Sequence, residues 1–150
     1  MMGNERSKVR YPDFFIVGAP KCGTTSVAGY LRQHPKVFVA EGEPCFFGSD
    51  IRYDKELTKA EYLQCFSEAR DEKRVGEKSV WYLYSKRAAA EIKQFCPEAK
   101  IIIQIRNPAD MLYSLHGQFL SRTGREDIVD FEQALEAEEA RRRGLRLPRD

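Results

Sequence analysis

The sequence predicts an α/β fold in which a parallel sheet is flanked by helices. Three observations carry this. Short apolar runs alternate with stretches of helical periodicity, the first run "FFIVG" turns through glycines into a helix, and the strongest strand, "KIIIQI", precedes another helix start. Strands that alternate with helices are joined by crossovers, which makes them parallel and covers the sheet with helices.

The elements follow in order. Phe14–Val17 reads as a buried strand, and Thr25–Gln33 as a helix that His34 and Pro35 end. Val37–Val39 is a short strand. "TKAE" at Thr58–Glu61 is a capping box, with Thr58 as cap and Glu61 reaching back, which predicts a helix to about Ala69. Arg74–Glu77 is a further short strand. Ser85 caps the helix "KRAAAEIKQF", which Pro97 closes. Lys100–Ile105 is the strongest strand, and a helix follows from about Pro108, proline being favoured in a first turn. "DFEQALEAEEARRR" reads as a last, strongly charged helix capped by Asp130, and "GLRLPRD" closes no element.

The 150 residues are one domain's worth of chain, long enough to bury a core. A net charge of +2 is low for a nucleic-acid binder, so no nucleic-acid partner is expected. No apolar run approaches the roughly 20 residues of a membrane span. The start, "MMGNERSKVRYPD", lacks the apolar stretch of a secretory signal, and Gly3 is misplaced for myristoylation. Cys22, Cys45, Cys65 and Cys96 make no C-x-x-C pair, so neither a disulfide framework nor a zinc site is expected. A cytoplasmic protein fits these signs; a luminal catalytic domain of a membrane-anchored parent is the alternative.

The chemistry starts at "FFIVGAPKCGTT". A strand that turns through glycines into a helix aims several N–H groups at one point, where the helix dipole adds about half a positive charge. Gly18 and Gly23 permit close backbone approach, Thr24 and Thr25 add hydroxyls, and Lys21 adds a full charge. This is nearly the phosphate loop G-x-x-x-x-G-K-[ST], with the lysine displaced. A magnesium-dependent hydrolase also needs an acidic residue at the end of a neighbouring strand, where this chain has Arg106. Glu41, after "VFVA", is the one candidate for holding a metal. The pattern points to an anionic ligand without an obligatory metal.

These residues carry a resemblance. "GAPKCGTTSVAGYLRQHP" resembles the 5′-phosphosulfate loop of sulfotransferases that use 3′-phosphoadenylyl sulfate (PAPS), and "RNPADMLYSLHGQF" resembles their 3′-phosphate motif. Between them, "GEPCFF" and "GEKSVWYLYS" resemble segments of the heparan-type and bacterial carbohydrate sulfotransferases. The four motifs fall in the family's order across Phe14 to Arg143. The resemblance implies a P-loop-type parallel sheet, of which the chain would be the N-terminal portion, and sulfuryl transfer from PAPS to a hydroxyl or amine of a carbohydrate. It implies that Lys21, Cys22, Gly23, Thr24 and Thr25 hold the 5′-phosphate, with Lys21 also placed where charge develops on the leaving oxygen. Arg106 would pair with the 3′-phosphate and Ser114 would donate a hydroxyl. Glu43, beside Pro44 and the pair Phe46–Phe47, takes the place of the catalytic base, and Lys78 matches a lysine that reaches the sulfate or that base.

Three departures concern the acceptor side: Cys45 where histidine is frequent, Gly48 where aspartate often follows the phenylalanines, and Val80 where proline is usual. Glu41 is the rival base, and His116 could face the cleft. His34 reads as a helix end, Trp81, Tyr82 and Tyr84 as core or cleft wall, the Cys22 thiol as packing, and Arg141–Arg143 as a solvated helix end that could greet an acidic glycan. Two other functions remain open at this point: a fragment that binds PAPS or its 3′,5′-bisphosphate product without turnover, and a small-molecule kinase with Glu41 on magnesium.

Overall fold

A computed structural model describes residues 10–53 and 56–147. Four strands, β1 (Phe14–Gly18), β2 (Val37–Val39), β3 (Arg74–Lys78) and β4 (Lys100–Ile103), form one sheet in the order β2-β3-β1-β4. Every neighbouring pair is parallel, as expected. The chain divides after Ile105 into two units. The first holds the sheet with α1 (Thr24–Arg32), α2 (Lys59–Gln64) and α3 (Ala88–Phe95).

All five residues of β1 are buried, because it lies between β3 and β4 with both faces covered. Strand alternation sends Phe15 and Val17 to one face, among Phe47, Tyr62, Phe66, Tyr82 and Ile92. Phe14 and Ile16 go to the other, against Ala28 of α1 and Val39. Burying a large apolar side chain completely contributes about 1.5–3 kcal/mol, so this strand anchors the loop that leaves its end. A Cβ at Gly76 of β3 would lie 2.5 Å from the Phe14 ring, which accounts for the glycine in a buried strand.

Four elements differ from the sequence reading. The helix expected from Lys86 with Ser85 as cap starts at Ala88 with Arg87 at its N-cap, although Ser85 Oγ still accepts the Arg87 and Ala88 N–H groups at 3.0 and 2.9 Å. The capping box at Thr58 forms with both of its bonds, yet α2 stops at Gln64. Beyond it the chain tightens into turns, with Cys65, Phe66 and Ser67 donating to the third carbonyl back, while Phe66 enters the core. β4 ends at Ile103, where the register against β1 shifts and Gln104 pairs with the loop after β1. The strand that reads as the strongest in the sequence is also the least buried. Among the described residues β1 is its one partner, and Ile101 and Ile103 remain 47% and 54% exposed. The last helix is two segments, Phe131–Glu136 and Glu138–Arg142.

The second unit contains α4 (Pro108–Gln118), a π-turn over Phe119–Thr123, α5 (Phe131–Glu136) and α6 (Glu138–Arg142). Asn107 caps α4 by accepting from the Ala109 N–H at 3.0 Å, with Pro108 in the first turn as expected. Asp130 caps α5 through the Gln133 N–H at 2.9 Å. The break at Ala137 keeps the helical bonds on both sides and buries the alanine. Arg141 is no solvated end: it clamps Glu126 with bonds of 2.6 and 2.7 Å and holds that carboxyl down at about 2. No described helix is long and apolar enough to cross a membrane.

Candidate active site

The loop from Gly18 to Gly23 leaves the buried end of β1 and enters α1. Its first half is bracketed by Gln104: the Ala19 N–H donates to the Gln104 carbonyl and the Gln104 N–H to the Gly18 carbonyl, both at 2.8 Å. Gly18 has φ 138°, and a Cβ there would lie 2.4 Å from the Val80 carbonyl oxygen. Lys21 adopts φ 60°, and Gly23, the N-cap of α1, has φ 80° and no side-chain cap bond. The first turn of this nine-residue helix thus begins at the loop with no cap bond from the N-cap side chain. That arrangement suits an anion such as a nucleotide 5′-phosphate. Lys21 is half-buried, Thr24 is buried and Thr25 is exposed. The Cys22 N–H turns back to the Ala19 carbonyl at 3.3 Å.

A second loop, after β2, carries Glu43. Its carboxylate meets Lys78 Nζ at 2.5 Å and accepts the Val80 N–H at 3.3 Å. Lys78 is nearly buried in this pair, whereas Glu43 keeps 32% of its side chain exposed. The flanking phenylalanines do not wrap the carboxylate. Phe46 stacks on Tyr62 with ring centroids 4.2 Å apart, and Phe47 enters the core beside Phe15. These two sequence-predicted residues, Glu43 and Lys78, therefore meet, and Val80 ties them to the phosphate loop: its N–H holds Glu43 while its carbonyl packs on Gly18. The segment after β3 crosses the end of β1, with the Ser79 N–H on the Ile16 carbonyl at 3.0 Å and the Leu83 N–H on Val17 at 2.9 Å.

Sequence reasoning missed the group beneath this arrangement. Glu77 is fully buried and accepts bonds from Tyr62 Oη and Tyr82 Oη at 2.9 Å each and from Ser79 Oγ at 2.6 Å. The signal available was an acidic residue in an otherwise buried strand, next to Lys78. Burial pushes its carboxyl up from the ordinary 4.5 to about 7, the three hydroxyl donors opposing that rise and the Glu43 charge adding to it. Between these values the native state keeps a proton that the unfolded chain has released. Its stabilising contribution is full below pH 4.5 and is lost as pH rises through about 7. We expect the melting temperature of the wild type to fall by several degrees between pH 4.5 and 7.5 relative to Glu77→Gln, which has no such titration. Parallel curves in differential scanning calorimetry would remove this assignment.

The other candidates sort by geometry. Glu41 pairs with Arg32 at 3.2 Å, and Arg32 also donates to the Val39 and Ala40 carbonyls at 3.1 and 2.6 Å. His34 accepts the Lys36 N–H at 3.1 Å at the end of α1. Tyr82 is core, while Tyr84 is 79% exposed. Burial pushes the Cys45 thiol up to about 11, its backbone has φ 51°, and its N–H donates to Ser79 Oγ at 3.0 Å. Arg106, Ser114 and His116 belong to the second unit. Arg106 lies 3.9 Å from Asp110, Ser114 stands on α4, and His116 Nε2 donates to the Ile128 carbonyl at 2.8 Å.

The sulfotransferase domain family matches residues 11–142. The chain is 35% identical over 114 residues to mouse heparan sulfate glucosamine 3-O-sulfotransferase 6, covering 76% of this chain and 32% of that protein. It is 35% identical over 129 residues to human heparan sulfate glucosamine 3-O-sulfotransferase 3A1, covering 86% of this chain and 30% of that protein. The crystal structure of a sulfotransferase from Alicyclobacillus acidocaldarius superposes with a TM-score of 0.81 at 34% identity, covering 91% of this chain and 60% of that one. The chain thus spans about a third of the length of these curated relatives.

Proposed function

The chain belongs to the sulfotransferase family, and from that membership we propose that it transfers a sulfuryl group from PAPS to a hydroxyl or amine of a carbohydrate. One observation carries the reading to the residues: the Glu43–Lys78 pair, held at 2.5 Å, is joined through Val80 to the phosphate loop at Gly18. A carboxylate and a phosphate-binding turn so connected are what proton removal beside a bound phosphosulfate requires. The names of the relatives, heparan sulfate glucosamine 3-O-sulfotransferases, support a sugar acceptor.

The donor supplies the sulfuryl group and departs as adenosine 3′,5′-bisphosphate. The Glu43 carboxylate takes the proton of the attacking acceptor group as its bond to sulfur forms. Lys78 holds that carboxylate in place. Lys21 and the first-turn amides of α1 bind the 5′-phosphate and meet the charge that grows on its bridging oxygen as the S–O bond breaks. Arg106 pairs with the 3′-phosphate and Ser114 donates a hydroxyl to it. No residue is assigned to a metal, and the pairing of Glu41 with Arg32 opposes the kinase reading.

Two expected results test this. In calorimetry with EDTA, adenosine 3′,5′-bisphosphate binds at least about tenfold more tightly than ATP, a gap equal to roughly one charge-assisted hydrogen bond. Arg106→Ala erases most of that preference. ATP binding that requires magnesium would establish the kinase reading instead. Mass spectrometry of a glucosamine-containing oligosaccharide incubated with PAPS should show one added sulfate. Bisphosphate binding without that product would leave a donor-binding fragment.

A further inference from the structure

A hydroxyl carries one proton, so where that proton goes decides what the oxygen can do next. Tyr62, Tyr82 and Ser79 all direct theirs to the buried Glu77 carboxylate, at 2.9, 2.9 and 2.6 Å. With those protons committed, Tyr82 and Ser79 face the Glu43 loop as acceptors only. Tyr82 Oη accepts the Phe46 and Phe47 N–H groups at 2.8 and 3.3 Å, and Ser79 Oγ accepts the Cys45 N–H at 3.0 Å. Three consecutive loop amides are therefore held by oxygens whose polarity one carboxylate fixes. Cys45 needs such a tie, because its φ of 51° is one that residues with a Cβ rarely adopt. Glu43 stands two residues before it.

We propose that Glu77 is a positioning residue: through Tyr82 and Ser79 it fixes the backbone of residues 45–47 and thereby seats the Glu43 carboxylate between Lys78 Nζ and the Val80 N–H. The consequence for turnover rests on the proposed role of Glu43, whereas the relay itself does not. Tyr62 is the internal control. It too gives Glu77 a proton, but its ring stacks on Phe46 and its hydroxyl serves no loop amide in the relay.

Amide hydrogen exchange at pH 8, above the Glu77 carboxyl at about 7, tests the relay by NMR on the whole chain. Tyr82→Phe should speed exchange at Phe46 and Phe47 about five- to tenfold, the worth of one net hydrogen bond. Glu77→Gln keeps one oxygen for the two tyrosine hydroxyls and turns an N–H toward Ser79 Oγ, so it should do the same at Cys45. Tyr62→Phe should leave all three within about twofold, and the β1 amides should hold in every variant. Equal acceleration by Tyr62→Phe and Tyr82→Phe would overturn the proposal, because it would show only loss of core stability. So would unchanged exchange at Cys45 in Glu77→Gln; should that variant fail to fold, the contrast between the two tyrosines decides. In single-turnover transfer, Tyr82→Phe should lower the rate about tenfold with bisphosphate affinity unchanged. An unchanged rate would overturn the link to Glu43. If the wild type transfers no sulfate, the proposed reaction fails, and the exchange contrast still decides the relay.

Discussion

Replacing Glu43 by glutamine is expected to lower sulfuryl transfer by about 10²–10⁴-fold while affinity for adenosine 3′,5′-bisphosphate stays within about twofold of wild type. The substitution keeps the side chain's shape and removes its ability to take a proton. Its carboxylate now serves two donors, Lys78 Nζ at 2.5 Å and the Val80 N–H at 3.3 Å. An amide has one oxygen, so glutamine keeps at most one of these contacts well, and a part of the loss comes from displacement. Glu43→Asp separates the two causes: it retains the base and shortens the reach. Activity of Glu43→Asp above that of Glu43→Gln, with bisphosphate affinity equal in both, identifies proton removal as the lost step. Near wild-type turnover in Glu43→Gln would eliminate Glu43 and direct attention to Glu41 and His116.

How much of this was legible in the sequence depended on the range over which each signal acts. The strands, the capping box at Thr58 and the Asp130 cap were readable because their causes lie within a few residues, and all but the end of β4 appear where expected. The meeting of Glu43 with Lys78 was foreshadowed by the family motifs, but the spacing of two loops cannot show that Val80 joins them to Gly18. Glu77 was passed over because a glutamate in a strand reads as solvent-facing until Tyr62, Ser79 and Tyr82 are seen to converge on it from separate parts of the chain. Arg141 was misread for a similar reason. Its partner Glu126 lies 15 residues away, beyond the i,i+4 pairs that sequence reading inspects. The run "KIIIQI" was correctly read as a strand, yet its position at the edge of the sheet follows from strand order, which no local pattern states.

Lys21→Ala should weaken bisphosphate binding by about 10- to 100-fold, the worth of a charge-assisted contact of roughly 1.5–3 kcal/mol, and should lower the transfer rate further at saturating donor. The backbone makes this an informative substitution. Lys21 sits at φ 60°, a conformation equally strained for alanine, so the exchange removes the ammonium group without relaxing the loop as glycine would. Gly18 and Gly23 on either side and the Gln104 bonds to Gly18 and Ala19 keep the turn in place. A loss confined to affinity would mean that the lysine meets a charge already present on the bound phosphate. An additional loss in the saturated rate means that its contact strengthens as the S–O bond breaks, the distinction between uniform and transition-state binding. Arg106→Ala supplies the contrast, because a 3′-phosphate carries the same charge before and after transfer and should register in affinity alone. The pair of variants, compared by calorimetry with the bisphosphate and by single-turnover kinetics with PAPS, therefore assigns each cation its step. Should Arg106→Ala lower the saturated rate as much as Lys21→Ala, the assignment of Lys21 to the leaving oxygen would fail.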